Sequence, residues 1–153
     1  MKIRSADMVL LELRKLLKAV LPTVITEINN ERNDFQLNQI QDDCFFLNVT
    51  ESVNAAQFVL LLGALRNTKN AGPKTAESLI VDIFVGFVPT TYNTAEKAMC
   101  ASYRYQAAIK EAFSRLNLPF GQINYIGAEP PGSMRVENKA LYGAMLQYDI
   151  QLF

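Results

Sequence analysis

The chain has 153 residues, enough for a single domain that buries its own core. Half of the residues are hydrophobic and a fifth are charged, the balance of a globular protein rather than of a disordered or fibrous one. Fifteen basic residues offset fifteen acidic ones, so net charge gives no footprint for nucleic acid or an anionic membrane, and little self-repulsion opposes association.

The first element reads as a helix. Ser5 stands as its N-cap, with Asp7 in the first turn where the dipole favours a negative charge. Leu10, Leu13, Leu17, Val20, Leu21, Val24 and Ile28 recur at helical spacing. Pro22 interrupts the pattern without shifting its phase, which favours a kink over a stop. Glu12, Arg14, Lys15 and Lys18 break up the apolar residues here, so no signal peptide is expected. No run anywhere reaches the ~18 apolar residues of a membrane span.

From Asn29 to Asp43 the chain turns polar and acidic. Glu27, Glu31, Asp34, Asp42 and Asp43 face only Arg32, and the stretch reads as a solvated loop. Cys44 to Val49 is expected as a short strand, and Gln57 to Leu65 as a second, with Gly63 at a bulge or close approach. Asn67 to Ser78, with Gly72–Pro73, reads as a long exposed connection. Ser78 to Val88 is apolar on both faces except at Asp82, the pattern of a strand covered on both sides.

Asn93 is expected to cap a second helix, with Glu96 answering it as in a capping box. Ala98, Ser102, Tyr105, Ile109, Ala112 or Phe113, and Leu116 form its buried stripe. Phe120 to Gly127 reads as a strand and Glu129 to Ser133, with two prolines, as a turn. The last strand, Ala140 to Leu152, places an apolar side chain at every second residue from Tyr142 onward. Strands and helices do not alternate regularly. The expected fold is therefore one α+β domain, 1–153, with an antiparallel or mixed sheet packed against two helices in the order α-β-β-(long loop)-β-α-β-β.

Few residues suggest chemistry. The chain has no His, and its glycines never approach a phosphate-loop or dinucleotide spacing. Asp42 and Asp43 are adjacent carboxylates, but neighbours on a strand point to opposite faces and share a cation awkwardly. Asp82 needs a partner if buried; Arg104, Lys110 or the hydroxyl of Tyr142 or Tyr148 could serve. Tyr103, Arg104 and Tyr105 point in different directions on a helix, which leaves Tyr105 in the core and Arg104 at the surface. Cys44 and Cys100 are expected as reduced, buried thiols. No catalytic residue, metal site or cofactor is expected. One alternative is a small α+β ligand-binding domain that uses Asp82 and a tyrosine hydroxyl in a pocket against the second helix.

The order and spacing of these elements resemble the tail-terminator (tail-completion) proteins of long-tailed bacteriophages. The resemblance rests on the N-terminal helix, the strand pair split by a polar loop over Gln57–Val88, the Asn/Thr-rich opening of the helix Asn93–Leu116, and the closing strand pair. The segment SLIVDIFVGFVPTTYNTAEKAMCASYRYQAAIKEAF carries most of it. It implies a structural virion protein, assembled in the host cytoplasm, that forms a ring of typically six copies and has no enzymatic role. The implied partners are further copies of itself, the tail tube protein on which the ring sits, the head–tail connector or neck protein above it, and the sheath protein where one exists. Genomic DNA would pass through the lumen without specific binding. In this setting Lys69, Gly72, Pro73 and Lys74 would form an inter-subunit arm, and Glu31, Asp34, Asp42 and Asp43 an acidic lumen surface. A neck connector ring of the same particle is the neighbouring alternative.

Overall fold

The computed structural model describes residues 5–52, 54–68, 76–119 and 121–152. The first helix, α1 (Ala6–Glu31), buries Val9, Leu13, Leu17, Leu21, Val24 and Ile25 along one face. Its stripe uses Val9 and Ile25 rather than Leu10 and Ile28 at its ends. Pro22 lies inside one continuous helix. Its carbonyl stays engaged, accepting from the Thr26 hydroxyl and the Gln39 amide, both at 3.0 Å. Ser5 occupies the N-cap position, but its side chain does not cap the helix.

The sheet contains β1 (Phe45–Phe46), β2 (Gln57–Thr68), β3 (Ala76–Phe87), β4 (Gly121–Val136) and β5 (Lys139–Leu152). They lie in the order β1-β2-β3-β5-β4. β1 runs parallel to β2, and the remaining pairs are antiparallel. The fold is thus an α+β domain with a mixed sheet. α1 and a second long helix, α3 (Ala95–Ser114), cover one face, and a single turn of helix, α2 (Val49–Ser52), adds a third. α3 buries Ala98, Ala101, Ser102, Tyr105, Ala108, Ile109, Ala112 and Phe113. Its many alanines let the helix lie close to the sheet.

Several boundaries differ from the sequence reading. The expected strand Cys44–Val49 is a 3₁₀ turn (Asp42–Cys44), two paired residues and the start of α2. Asn93 does not cap α3; it ends a preceding 3₁₀ turn at φ 66°, and the Thr94 side chain accepts from the Lys97 N–H. Glu129–Ser133 is no turn. Pro130 and Pro131 sit inside β4, at a register shift between Glu129 and Gly132. Proline has no N–H to give to a ladder, and an outer strand tolerates that loss. The chain reverses instead at Glu137–Asn138, at φ 46° and 69° between the paired Val136 and Lys139. Two left-handed residues form the hairpin turn whose twist suits antiparallel strands. Asn67, Thr68, Ala76 and Glu77 belong to strands, so the expected long connection is shorter at both ends.

β5 lies between β3 and β4. Its alternating residues Ala144, Leu146, Tyr148 and Ile150 are buried beneath the helices. The opposite face carries a smaller cluster of Phe58, Leu60 and Leu141, with Phe46, Phe84 and Met134 around it. Gly86 and Gly143 pair across β3 and β5 in this region. With no side chain at Gly86, the Phe58 ring can lie flat on the sheet.

Candidate assembly surfaces

One outer edge of the sheet is covered over two residues, and the other has no strand partner among the described residues. β1 covers β2 only at Val59 and Leu60. Among the described residues nothing pairs with the outer edge of β2 from Leu61 to Thr68. β4 is the opposite edge, and its outer side has no strand partner among the described residues. Large apolar side chains stand exposed at both open parts: Leu65 on β2, and Tyr125 and Ile126 on β4, each between 43% and 54% exposed. The β4 edge is held from within. Gln106 of α3 donates to the Glu129 carbonyl at 2.6 Å, and the Lys110 ammonium lies 4.4 Å from the centre of the Tyr125 ring. Tyr125 packs on Tyr148, which stacks on Phe113 at 4.3 Å between ring centres.

The polar stretch after α1 is a strap rather than a solvated loop. Leu37 and Ile40 are buried in the main core. Asn29 grips the strap twice, donating to the Leu37 carbonyl at 2.9 Å and accepting its N–H at 2.7 Å. Tyr105 donates its hydroxyl proton to the Asn38 carbonyl at 2.6 Å and accepts from the Gln57 amide. That proton is then committed, so the Tyr92 hydroxyl, 2.6 Å away, donates to Tyr105 and itself accepts from the Asn38 N–H. Burial, with the neighbouring Tyr92, drives the Tyr105 hydroxyl far above the ordinary tyrosine range. The network is a structural clamp between the strap, α3 and β2.

The four proposed lumen carboxylates are not a uniform acidic face. Asp34 binds Arg104 at 2.6 Å, and this hydrogen bond, helped by the Phe35 N–H, lowers its carboxyl to about 2. Arg104 also lies 4.0 Å from the centre of the Phe35 ring, and its side chain is only 12% exposed, so it is a largely sheltered group rather than a free surface one. Asp42 lies 3.8 Å from Lys18. Glu31 is exposed, and Asp43 is exposed beside Cys44, whose thiol burial and the Asp43 charge push upward. Glu27 pairs with Arg115, at the C-cap of α3, at 2.7 Å, which lowers its carboxyl. Helix α3 and its C-cap thus supply cations that the local sequence lacked.

Asp82 faces away from α3, on the open side of the sheet, and accepts from Gln147 at 2.8 Å. It lines a shallow groove with Leu62, Ala64, Arg66 and Ile80. The expected tyrosine partners, Tyr142 and Tyr148, lie on the helix-covered face, in or against the main core, and the Tyr92 and Tyr105 hydroxyls are engaged there too, so the ligand pocket combining Asp82 with a tyrosine against α3 is not formed. Cys44 and Cys100 are free thiols, half-buried rather than fully buried. No group of potential metal ligands occurs among the described residues, and no described helix is long and apolar enough to cross a membrane. Lys69, Gly72, Pro73 and Lys74, the proposed inter-subunit arm, lie outside the described residues. A comparison with protein-family models finds no match, and a search of curated proteins finds none.

Proposed function

We propose that the protein is a structural ring subunit of a bacteriophage tail, of the tail-terminator kind. In this reading about six copies close into a ring on the last ring of the tail tube. The ring ends tube growth and offers its far surface to the neck or head connector, with any sheath outside it and the genome passing through its lumen. The protein acts as an assembly part of the virion and not as an enzyme. The observation that supports this reading most directly is the sheet, whose β2 edge is open from Leu61 to Thr68 and whose β4 edge has no strand partner among the described residues, with apolar side chains exposed on both strands. Long, unguarded edges invite pairing with another chain, and folded proteins normally shield them. A subunit that closes into a ring leaves neither edge free. The acidic lumen role falls mainly to Glu31 and Asp43, since Asp34 and Asp42 each have a basic partner.

The test is native mass by light scattering over a concentration series, with the same samples imaged in negative stain, alone and with purified tail tubes. Closed rings of about six subunits, free or capping tube ends, are expected. A monomer at every concentration that leaves tube ends bare would overturn the proposal.

A further inference from the structure

We infer that the occupant of the open β2 edge is the β4 edge of a second copy, paired antiparallel over Gly63–Asn67 of one chain and Gly121–Tyr125 of the next. The inference rests on the ring reading above and names the strands that would join its subunits.

Registers across the sheet align the two open edges at one level. Leu65 pairs with Leu79, Leu79 with Ile150, and Ile150 with Ile123. Gly63 leads in the same way through Val81 and Tyr148 to Tyr125. The interruptions on the two edges also match. β1 shields Val59 and Leu60, and Leu60 leads through Phe84 and Met145 to Glu129, beside Pro130 and Pro131. A strand cap on one edge and a proline pair on the other therefore block pairing at the same height. The regular stretches left open are level with each other.

Strand direction agrees. β2 is antiparallel to β3, β3 to β5, and β5 to β4. Two successive reversals make β5 run with β2, and the third makes β4 run against it. Rotation about an axis near the strand direction, as in a ring, preserves these directions. The β4 edge of one copy then meets the β2 edge of the next antiparallel, the pairing with straight ladder hydrogen bonds.

Composition agrees as well. Protein edges are commonly guarded by charge. Gly121–Tyr125 carries none, and Arg66 is the sole charged residue of Leu61–Thr68. The two edges differ from one another, so the contact is head to tail and can close only as a ring or run on as a filament.

The experiment pairs two single-cysteine additions. Ala64 leads through Ile80 and Asp149 to Asn124, and both Ala64 and Asn124 are exposed on the open face. Full-length Ala64→Cys and Asn124→Cys proteins, each first checked for an unchanged melting temperature, are mixed under mild oxidation. Peptide mass mapping then separates new disulfides from any at Cys44 or Cys100. Directly opposed antiparallel residues lie close enough for a disulfide, whereas a shift of two residues does not. The expected result is a covalent dimer linking positions 64 and 124 in the mixture, with neither protein linking to itself. A link from position 64 to Gln122→Cys instead would overturn the register proposed here. Rings that form without either link would overturn this inference and leave the ring reading standing. No link and no association, with tail tube ends also left bare, would overturn both, and self-linking of Ala64→Cys alone would overturn it in favour of a two-fold contact.

Discussion

The sharpest stability prediction concerns Gly143, at the centre of the sheet where β5 crosses beside β3. A Cβ built there would lie 2.2 Å from the Val85 carbonyl oxygen and 3.1 Å from the Gly86 Cα. The first separation is far inside the ~3.5 Å at which non-bonded heavy atoms attract. Both obstacles are backbone, so relief requires moving two strands apart within a ladder that runs from Ser78 to Phe87. Overpacking of this kind costs about 3 kcal/mol at the upper end of the usual range. For a chain of this length, that corresponds to a fall of roughly 9 °C in melting temperature. Gly86→Ala meets a different obstacle, the Phe58 ring at 2.7 Å, and a side chain can yield where backbone cannot. Its expected cost is smaller, about 1–2 kcal/mol. Gly127→Ala meets nothing within 4 Å and should be neutral, or stabilise by about 0.5 kcal/mol through the unfolded chain. The three proteins are compared by thermal and urea unfolding. Gly143→Ala melting within about 2 °C of the wild type, or Gly127→Ala proving equally damaging, would refute the strand spacing on which the reasoning rests.

Two further predictions follow from the strap. The Arg104 hydrogen bond depresses the Asp34 carboxyl, so the stabilisation it brings is complete above the ordinary aspartate value near ~4 and is lost as pH falls through about 2. The gap in melting temperature between wild type and Asp34→Asn should therefore close as pH falls from ~4 toward ~2; a gap constant over that window would mean the pair does not form in solution. Tyr105→Phe removes a hydroxyl bonded to Asn38, Gln57 and Tyr92 at once. Leaving those groups unpaired should cost about 1–3 kcal/mol, or roughly 3–9 °C, with faster amide exchange over Leu37–Ile40, and an unchanged melt with unchanged exchange would show that the clamp carries no stability.

The long helices were legible in the sequence because the 3.6-residue period of their apolar stripes survives both Pro22 and the polar insertions. β3 and β5 were legible for the matching reason, a period of two in β5 and a doubly covered run in β3. The strap was not. Leu37 and Ile40 sit among polar residues, and what fixes them comes from hydroxyls on Tyr92 and Tyr105, 54 and 67 residues from Asn38. The partners of Asp34 and Glu27 were equally invisible, since they lie on α3 and at its C-cap, 70 and 88 residues away. The hairpin turn was misplaced because two adjacent prolines are a strong local breaker. Only the tertiary fact that β4 is an outer strand lets them stay within it. The left-handed pair Glu137–Asn138 lacks the glycine that usually marks such a turn. Of the candidate surfaces, the acidic residues could be named in advance. The open edges could not, because strand order across the sheet is set by pairings that no local pattern encodes.

Strand order also bears on whether these edges could work in assembly. The chain leaves α3, runs out to the far edge as β4, and returns as β5 between β4 and β3. The exposed edge is therefore not a terminal strand free to fray; it is hydrogen-bonded along its inner side and gripped by Gln106 and Lys110 of α3. The β2 edge is backed likewise, with Leu10 of α1 closing over Gly63 and β3 paired along its whole length. A partner strand would thus meet two edges already in their paired geometry, and little ordering entropy would oppose docking. The same rigidity limits which partner fits. A fixed edge with one end closed by β1 accepts a strand of the right direction and height, and a flexible edge would accept many. Pre-formed edges whose regular stretches are limited by β1 on one side and by Pro130 and Pro131 on the other favour a few defined contacts over open-ended aggregation, a property that would suit a ring subunit.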